Sequence, residues 1–264
     1  MNPKVSILMS VYNGARDLRE AVDSILKQSF TDFEFIIVND ASNDNSPAIL
    51  NEYAAKDKRI KLINNEFNLG LTKNLNKAIR ESKGEYLARF DSDDISYPDR
   101  LKMQVEFLDK NPNCALVGTW SDIIDGSGKI MRTVKYPTSS NDVKKVLIRY
   151  NPFFHSSAMF RKSAVNAVGP YDESWRFAQD YELWLRIAEK YDIANIPQVL
   201  LGYRETGGSI TASKNRAQVG FVLKAKLRAL KRGQYSKFNY IHLLRSYISW
   251  VFPVWLKRFA KKLR

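Results

Sequence analysis

Between Val5 and Asp94 the chain alternates apolar, strand-like runs with segments of helical periodicity, and this alternation limits its fold more than any other feature. Val5-Ser6-Ile7-Leu8-Met9-Ser10-Val11 is nearly continuous in apolar character, as expected of a strand buried on both faces of a parallel sheet. Tyr12-Asn13-Gly14 breaks the run, after which Leu18, Ala21, Val22, Ile25 and Leu26 fall at helical spacing within residues 15–27. Phe33 to Asn39 is a second run, closed by Asp40 and the polar stretch Ala41-Ser42-Asn43-Asp44-Asn45-Ser46. Residues 49–55 then read as helix, 60–63 as strand, 71–82 as helix, and a last strand runs into Asp91. Helical crossovers of this length join parallel strands, so the expected class is α/β: a Rossmann-like, mostly parallel sheet flanked by helices. Such sheets bind ligands at the carboxyl ends of their strands, where this sequence puts Tyr12-Asn13, Asn39-Asp40 and Asp91-Ser92-Asp93.

The third of these groups carries the chemistry. Gly84-Glu85-Tyr86-Leu87-Ala88-Arg89-Phe90 ends in Asp91-Ser92-Asp93-Asp94, and residues two apart on a strand face the same side. Two neighbouring carboxylates repel unless a cation joins them, and Mg²⁺ or Mn²⁺ pairs one or two carboxylates with phosphate oxygens. Asp91 and Asp93 therefore fit a metal-bridged phosphate substrate. A polar turn leaving a strand before Pro98 accounts for the same residues without a metal.

Other chemistries lack their parts. The single cysteine, Cys114, and the two histidines, His155 and His242, cannot assemble a disulfide framework or a multi-histidine zinc centre. Gly14 alone follows the first strand, so neither a dinucleotide fingerprint nor a P-loop is present. A nucleotidyltransferase that makes sugar nucleotides shares the sheet and carboxylates, but Ser10-Val11-Tyr12-Asn13-Gly14 lacks the Gly-rich phosphate loop and Lys expected of it.

Beyond Pro98 the pattern is mixed. Residues 100–109 form a helix burying Leu101, Val105 and Leu108, and 115–119 a strand. Residues 122–134 form a hairpin turning at Gly126-Ser127-Gly128, 156–161 a strand, 181–188 a helix, and 193–204 edge strands. This half, about 99–205, is expected to take the second substrate.

In chain order the motifs are Pro3-x-Val5-Ser6 through Ser10-x-Tyr12-Asn13, Val38-Asn39-Asp40-Ala41-Ser42, Asn68-Leu69-Gly70-Leu71, Gly84-Glu85-Tyr86 through Asp91-Ser92-Asp93-Asp94, Pro98-Asp99-Arg100-Leu101, His155-Ser156-Ser157, Asp180-Tyr181-Glu182-Leu183-Trp184-Leu185-Arg186, and Tyr203-Arg204. Together they resemble the inverting family 2 glycosyltransferases of GT-A fold, of the bacterial surface-polysaccharide type. The resemblance implies a nucleotide-diphosphate sugar donor, with UDP expected, a glycan or lipid-linked acceptor, and Mn²⁺ or Mg²⁺ as cofactor. It implies that Ser10, Tyr12 and Asp40 line the nucleotide, with Tyr12 on the base and Asp40 accepting from uracil. Asp91 falls near ribose and metal, Asp93 on the metal ligand, and Asp180 on the catalytic base. Arg204 would reach the diphosphate, while His155 and Trp184 fall in motifs on the substrate side. Many relatives carry Glu before that base, where this chain has Gln179. Each position also has an ordinary structural explanation: a capping aromatic for Tyr12, an Asx turn for Asp40, an interior histidine for His155, a helix core stripe for Trp184, a local ion pair for Arg204.

The net charge of +14 is local. No Asp or Glu follows Glu205, whereas 14 of the 42 Lys and Arg lie from Lys214 onward, leaving 28 basic against 28 acidic residues before it. Residues 206–264 are thus expected to be a basic helical region apart from a 1–205 domain whose donor half spans about 1–98. Within it Trp250, Phe252, Trp255 and Phe259 cluster with Lys257, Arg258, Lys261, Lys262 and Arg264, a combination suited to anionic lipid rather than nucleic acid. Neither a leader before the first strand nor a spanning run is evident, so the expected location is cytoplasmic, peripheral on the inner face of the membrane.

Overall fold

The computed structural model describes residues 2–205 and 216–251. Its first half follows the expected alternation: β1 (Val5–Val11), α1 (Leu18–Leu26), β2 (Phe33–Asn39), α2 (Ser46–Lys56), β3 (Ile60–Asn64), α3 (Leu71–Glu81) and β4 (Tyr86–Arg89). β1 pairs in parallel with β2 and β4, and β2 with β3. Alternating side chains supply both faces. Val5, Ile7, Met9 and Val11 pack with Leu18, Val22 and Ile25 of α1, while Leu8, Ile36 and Val38 pack with Leu75 and Ala78 of α3. Each fully buried Leu, Ile or Val contributes about 1.5–3 kcal/mol, which explains why α1 and α3 hold to opposite faces of one sheet.

The second half completes the same sheet. It adds β5 (Ile95–Ser96), α4 (Arg100–Lys110), β6 (Cys114–Ile124), β7 (Ile130–Val134), α5 (Ser140–Leu147), a 3₁₀ turn (His155–Ser157), β8 (Met159–Arg161), α6 (Lys162–Val168), α7 (Gln179–Lys190) and β9 (Asp192–Arg204). The strand order is β3-β2-β1-β4-β8-β6-β9-β5, with β7 on β6. β8 runs antiparallel to both neighbours, so the parallel and mixed halves meet beside β4.

Two expectations change here. Residues 115–119 and the first arm of the hairpin are one strand of 11 residues. Residues 193–204 are not edge strands: β9 lies inside the sheet, parallel to β6 and antiparallel to β5. Pro197 is tolerated there because the pairing slips, passing from Thr119–Ile196 to Trp120–Val199 and leaving Pro197 and Gln198 exposed. The sequence pattern also missed β5, α5 and α6, which are short.

Beyond the domain strands lie α8 (Arg216–Lys231), a 3₁₀ turn (Lys237–Tyr240) and α9 (Ile241–Val251). Ala225, Ala229 and Leu230 of α8 are buried in the same core cluster as α3 and α7. Arg228 Nη1 reaches Asp172 at 2.9 Å, and Lys226 Nζ donates to the Arg149 carbonyl at 2.8 Å. Phe252, Trp255 and Phe259, with the basic residues Lys257, Arg258, Lys261, Lys262 and Arg264, lie outside the described residues.

Candidate active site

The carboxyl ends of β1, β2 and β4 meet on one rim. The loops after β1 and β2 are laced together: Asn13 N–H donates to Ser42 Oγ (3.0 Å), Asn43 N–H to Asn13 Oδ1 (2.8 Å) and Gly14 N–H to Ser46 Oγ (3.0 Å). Tyr12 stands out from this lacing, 51% exposed. Asp40 is buried, and its carboxylate accepts from Leu69 N–H (2.8 Å), Gly70 N–H (2.9 Å) and Asn65 Nδ2 (2.9 Å), leaving about one lone-pair position of four. Ser10 Oγ accepts from Asn74 Nδ2 (3.0 Å), and Asn74 Oδ1 accepts from Asn65, so Ser10 and Asp40 belong to one network. Asn65 and Asn74 were not anticipated. The available signal was a polar residue, Asn74, within the apolar stripe of α3 between Leu71, Leu75 and Ala78.

Among the described residues Asn13, Ala41 and Ala178 are the non-glycine positions with positive φ, at 53°, 57° and 54°. They follow Tyr12 and Asp40 and precede Gln179-Asp180. Left-handed backbone costs a residue with a Cβ about 1–2 kcal/mol, and such strain collects where geometry must be held for function.

Asp91, Asp93 and Asp94 each place an oxygen within 4.8 Å of the others. Arg89, fully buried on β4, pairs with Asp91 and donates to Ser156 Oγ at 3.2 Å, while Ser156 Oγ donates to Asp91 Oδ2 at 2.7 Å. A charged side chain inside an apolar strand, two positions before an Asp on the same face, was a sign of this pairing. Burial, then the Asp91 anion, push the Asp93 carboxyl up to about 6, and the same causes raise Asp94 well above the carboxylate range. Asp94 Oδ1 accepts from Arg204 N–H at 2.8 Å, whereas its buried Oδ2 has no partner among the described residues. An all-oxygen donor set, two disfavoured anions and one orphaned carboxylate oxygen fit a hard divalent cation.

Arg204 ends β9 against this turn, and its donors are engaged. Nε donates to the Asp93 carbonyl (2.7 Å), Nη1 to the Asp125 carbonyl (3.1 Å), and Nη2 pairs with Glu20. Its side chain, expected to reach a diphosphate, is 1% exposed and bonded to the acidic turn.

Asp180 opens α7. Asn151 Nδ2 donates to its Oδ2 at 2.8 Å. Burial raises the Asp180 carboxyl, opposed by the Tyr181 N–H, the Arg89 cation and the Asn151 bond, which brings a carboxylate toward the range of a general base. Arg89 thus acts electrostatically on both Asp91 and Asp180. His155 Nε2 lies 2.9 Å from Tyr171 OH, and burial, then Arg89, depress its pKa well below the usual value, so the ring is neutral. Trp184, expected on the substrate side, lies in the core. It is fully buried, edge-on to Phe160 at 5.4 Å and His155 at 6.1 Å, because the helix stripe that carries it faces the sheet.

Residues 6–169 match the sequence pattern of Glycosyl transferase family 2. The chain belongs to this family. Among relatives of this glycosyltransferase is the putative glycosyltransferase EpsE of Bacillus subtilis, 34% identical over 98% of this chain and 94% of EpsE. The O-antigen biosynthesis glycosyltransferase WbnJ of Escherichia coli is 33% identical over 76% of this chain and 79% of its own. The fold matches that of S. aureus TarS in complex with UDP-GlcNAc, with a TM-score of 0.73 and 19% identity over 93% of this chain and 73% of that one. It also matches the mannosyltransferase PcManGT from Pyrobaculum calidifontis in complex with GDP-Man and Mn²⁺, at 0.68 and 21% over 93% and 69%. These likenesses show the GT-A fold.

Proposed function

We propose that this glycosyltransferase moves a hexosyl group from a UDP-linked sugar to a hydroxyl of a glycan or lipid-linked acceptor in surface-polysaccharide assembly. The observation that carries this is the meeting, on one sheet rim of a family 2 chain, of an acidic triad suited to a cation with a separate raised carboxylate, Asp180. Kinship with EpsE, with WbnJ of O-antigen biosynthesis and with the amylovoran biosynthesis glycosyltransferase AmsE of Erwinia amylovora supports the class of product, and the fold shared with TarS, seen in complex with UDP-GlcNAc, supports the donor.

In this mechanism Tyr12 stacks on the base, while Asp40 and Ser10 shape the nucleotide cleft through the Asn65–Asn74 network. Asp91 and Asp93 would hold Mn²⁺ or Mg²⁺, which when bound would supply Lewis-acid stabilisation of the diphosphate leaving group. Arg204 fixes the Asp93 backbone, and Arg89 with Ser156 fixes Asp91. Asp180 takes the proton from the acceptor hydroxyl as it attacks the face opposite the leaving group. A single displacement with a base and no enzyme nucleophile inverts the anomeric centre. Neutral His155 with Tyr171 borders the acceptor side without adding charge. A thermal-shift screen of nucleotide sugars with and without Mn²⁺ tests the donor assignment, since a ligand of the folded state raises its stability. Stabilisation by a UDP-sugar only with the metal is expected, and a metal-independent or absent response refutes it.

We propose further that the protein sits peripherally at the inner face of the membrane. No helix of the described residues is long and apolar enough to cross a bilayer. Phe238 (92% exposed), Ile241 (66%) and Leu244 (56%) present apolar surface beside a groove lined by Lys144, Lys145 and Arg149. Apolar residues flanked by cations suit an anionic lipid surface. Flotation of the full chain with anionic vesicles should fall when Phe238 and Leu244 become Ser, and binding indifferent to these changes and to salt refutes the placement.

A further inference from the structure

Four aromatic rings form a continuous series flanking residues 151–156. Centroids lie 6.2 Å apart for Tyr150–Tyr136, 5.5 Å for Tyr136–Phe154 and 5.0 Å for Phe154–Tyr203, with interplanar tilts of 35°, 42° and 44°. Phe154 and Tyr203 pack on one side against the apolar core, Tyr136 is partly buried and Tyr150 is 44% exposed, so the series is a strip rooted in the core that keeps solvent-facing area, most of it at Tyr150.

Its chain neighbours fix its place. Tyr150 precedes Asn151, which holds Asp180, and Phe154 lies two residues before Ser156, which holds Asp91. Tyr203 precedes Arg204, which holds the Asp93 carbonyl. The strip therefore runs beside a loop whose ends are bonded to the candidate base and the acidic turn. It is also held firmly. Trp120 Nε1 donates to the Tyr136 carbonyl (2.9 Å), and buried Asn195 donates from Nδ2 to the carbonyls of Pro137 (2.9 Å) and Pro152 (3.2 Å). Rigid aromatic surface loses little entropy when a ligand is laid on it.

We infer that this strip is a platform for a pyranose ring of the acceptor, an inference that rests on the glycosyltransferase reading above. One face of a pyranose turns several C–H bonds outward, and their slight positive charge meets the negative faces of aromatic rings. The ring hydroxyls point sideways, toward water, the tyrosine hydroxyls and the base. The four rings themselves carry no charge, so the ligand class is a neutral sugar rather than a phosphate.

Saturation-transfer NMR on the full chain tests this, with methyl β-glucoside, methyl β-galactoside and methyl N-acetyl-β-glucosaminide as probes, with and without UDP and Mn²⁺. Saturation concentrated on the ring C–H protons of one face is expected for at least one probe, and it persists with UDP present. Tyr150→Ala should weaken that probe about 2- to 12-fold, the loss expected from one aromatic contact, while Tyr150→Phe retains it. Neither substitution should alter the melting temperature, because Tyr150 is half exposed. Absence of saturation for every probe, equal saturation in the Ala variant, or its loss on adding UDP-N-acetylglucosamine, which would assign the strip to the donor sugar, overturns the inference. The UDP-induced thermal shift of the same samples tests the donor reading separately, so the two can fail independently.

Discussion

Replacing Asp93 by Asn should remove metal-dependent transfer and at the same time stabilise the metal-free protein. Burial and the neighbouring Asp91 anion raise the Asp93 carboxyl from 3.8 to about 6. The folded state therefore holds a proton that the unfolded state has released between these pH values, and stability falls as pH rises through that window. Above it the folded anion is disfavoured by ~3 kcal/mol. Asn keeps the shape and removes the charge, but its amide also loses water on burial, so a gain of ~1–2 kcal/mol remains. In a domain of this size that corresponds to a melting temperature about 2–8 °C higher at pH 8 in chelator, with the difference vanishing toward pH 3. Mn²⁺ should then raise the melting temperature of the wild type and not of the variant. An Asn variant that melts no higher than wild type in chelator refutes the electrostatic account, and one that still responds to Mn²⁺ refutes the ligand assignment.

Asp180→Asn should retain donor affinity and lower kcat by about 10² or more, which separate measurements of donor Kd and kcat decide. Asn151→Ala removes the hydrogen bond that favours the Asp180 anion, so its carboxyl rises further and the acid limb of the kcat–pH profile moves to higher pH; an unmoved limb refutes the contact's role. Gly118→Ala would place its Cβ 2.3 Å from Asn195 Oδ1 and 2.6 Å from Phe153 Cδ1. That overpacking beneath the loop carrying Asn151 should cost ~1–3 kcal/mol in denaturant unfolding, and undiminished stability would show that the loop yields freely.

Periodicity along the chain was enough to place the first half. The strand at Val5–Val11 is a nearly unbroken apolar run covered on both faces, and the helix that begins at Leu71 buries side chains at a spacing of 3.6 residues, so local order already declares what is covered. The same local logic marked Asp40, Asp91 and Asp93, because polar residues that end apolar strands gather on one rim of a parallel sheet, whereas Asp180 came from the resemblance to the family. What each does there depended on partners far away in sequence. Arg204 has the composition of an anion binder, yet Glu20 and the Asp93 carbonyl, brought in from α1 and the end of β4, occupy its donors. Trp184 lies in a motif of substrate-side residues, but the direction of its helix stripe turns it into the core. Pro197 reads as an edge signal until the slipped pairing with β6 accommodates it inside the sheet. Asn151 carries no pattern in the sequence, and the motif His155-Ser156-Ser157 gave Ser156 no role, since the value of each comes from a single hydrogen bond, to Asp180 and to Asp91, across the fold. Burial patterns are local sums over many residues and survive reading in one dimension. Hydrogen bonds and ion pairs are pairwise and directional, and only the tertiary structure decides which pairs meet.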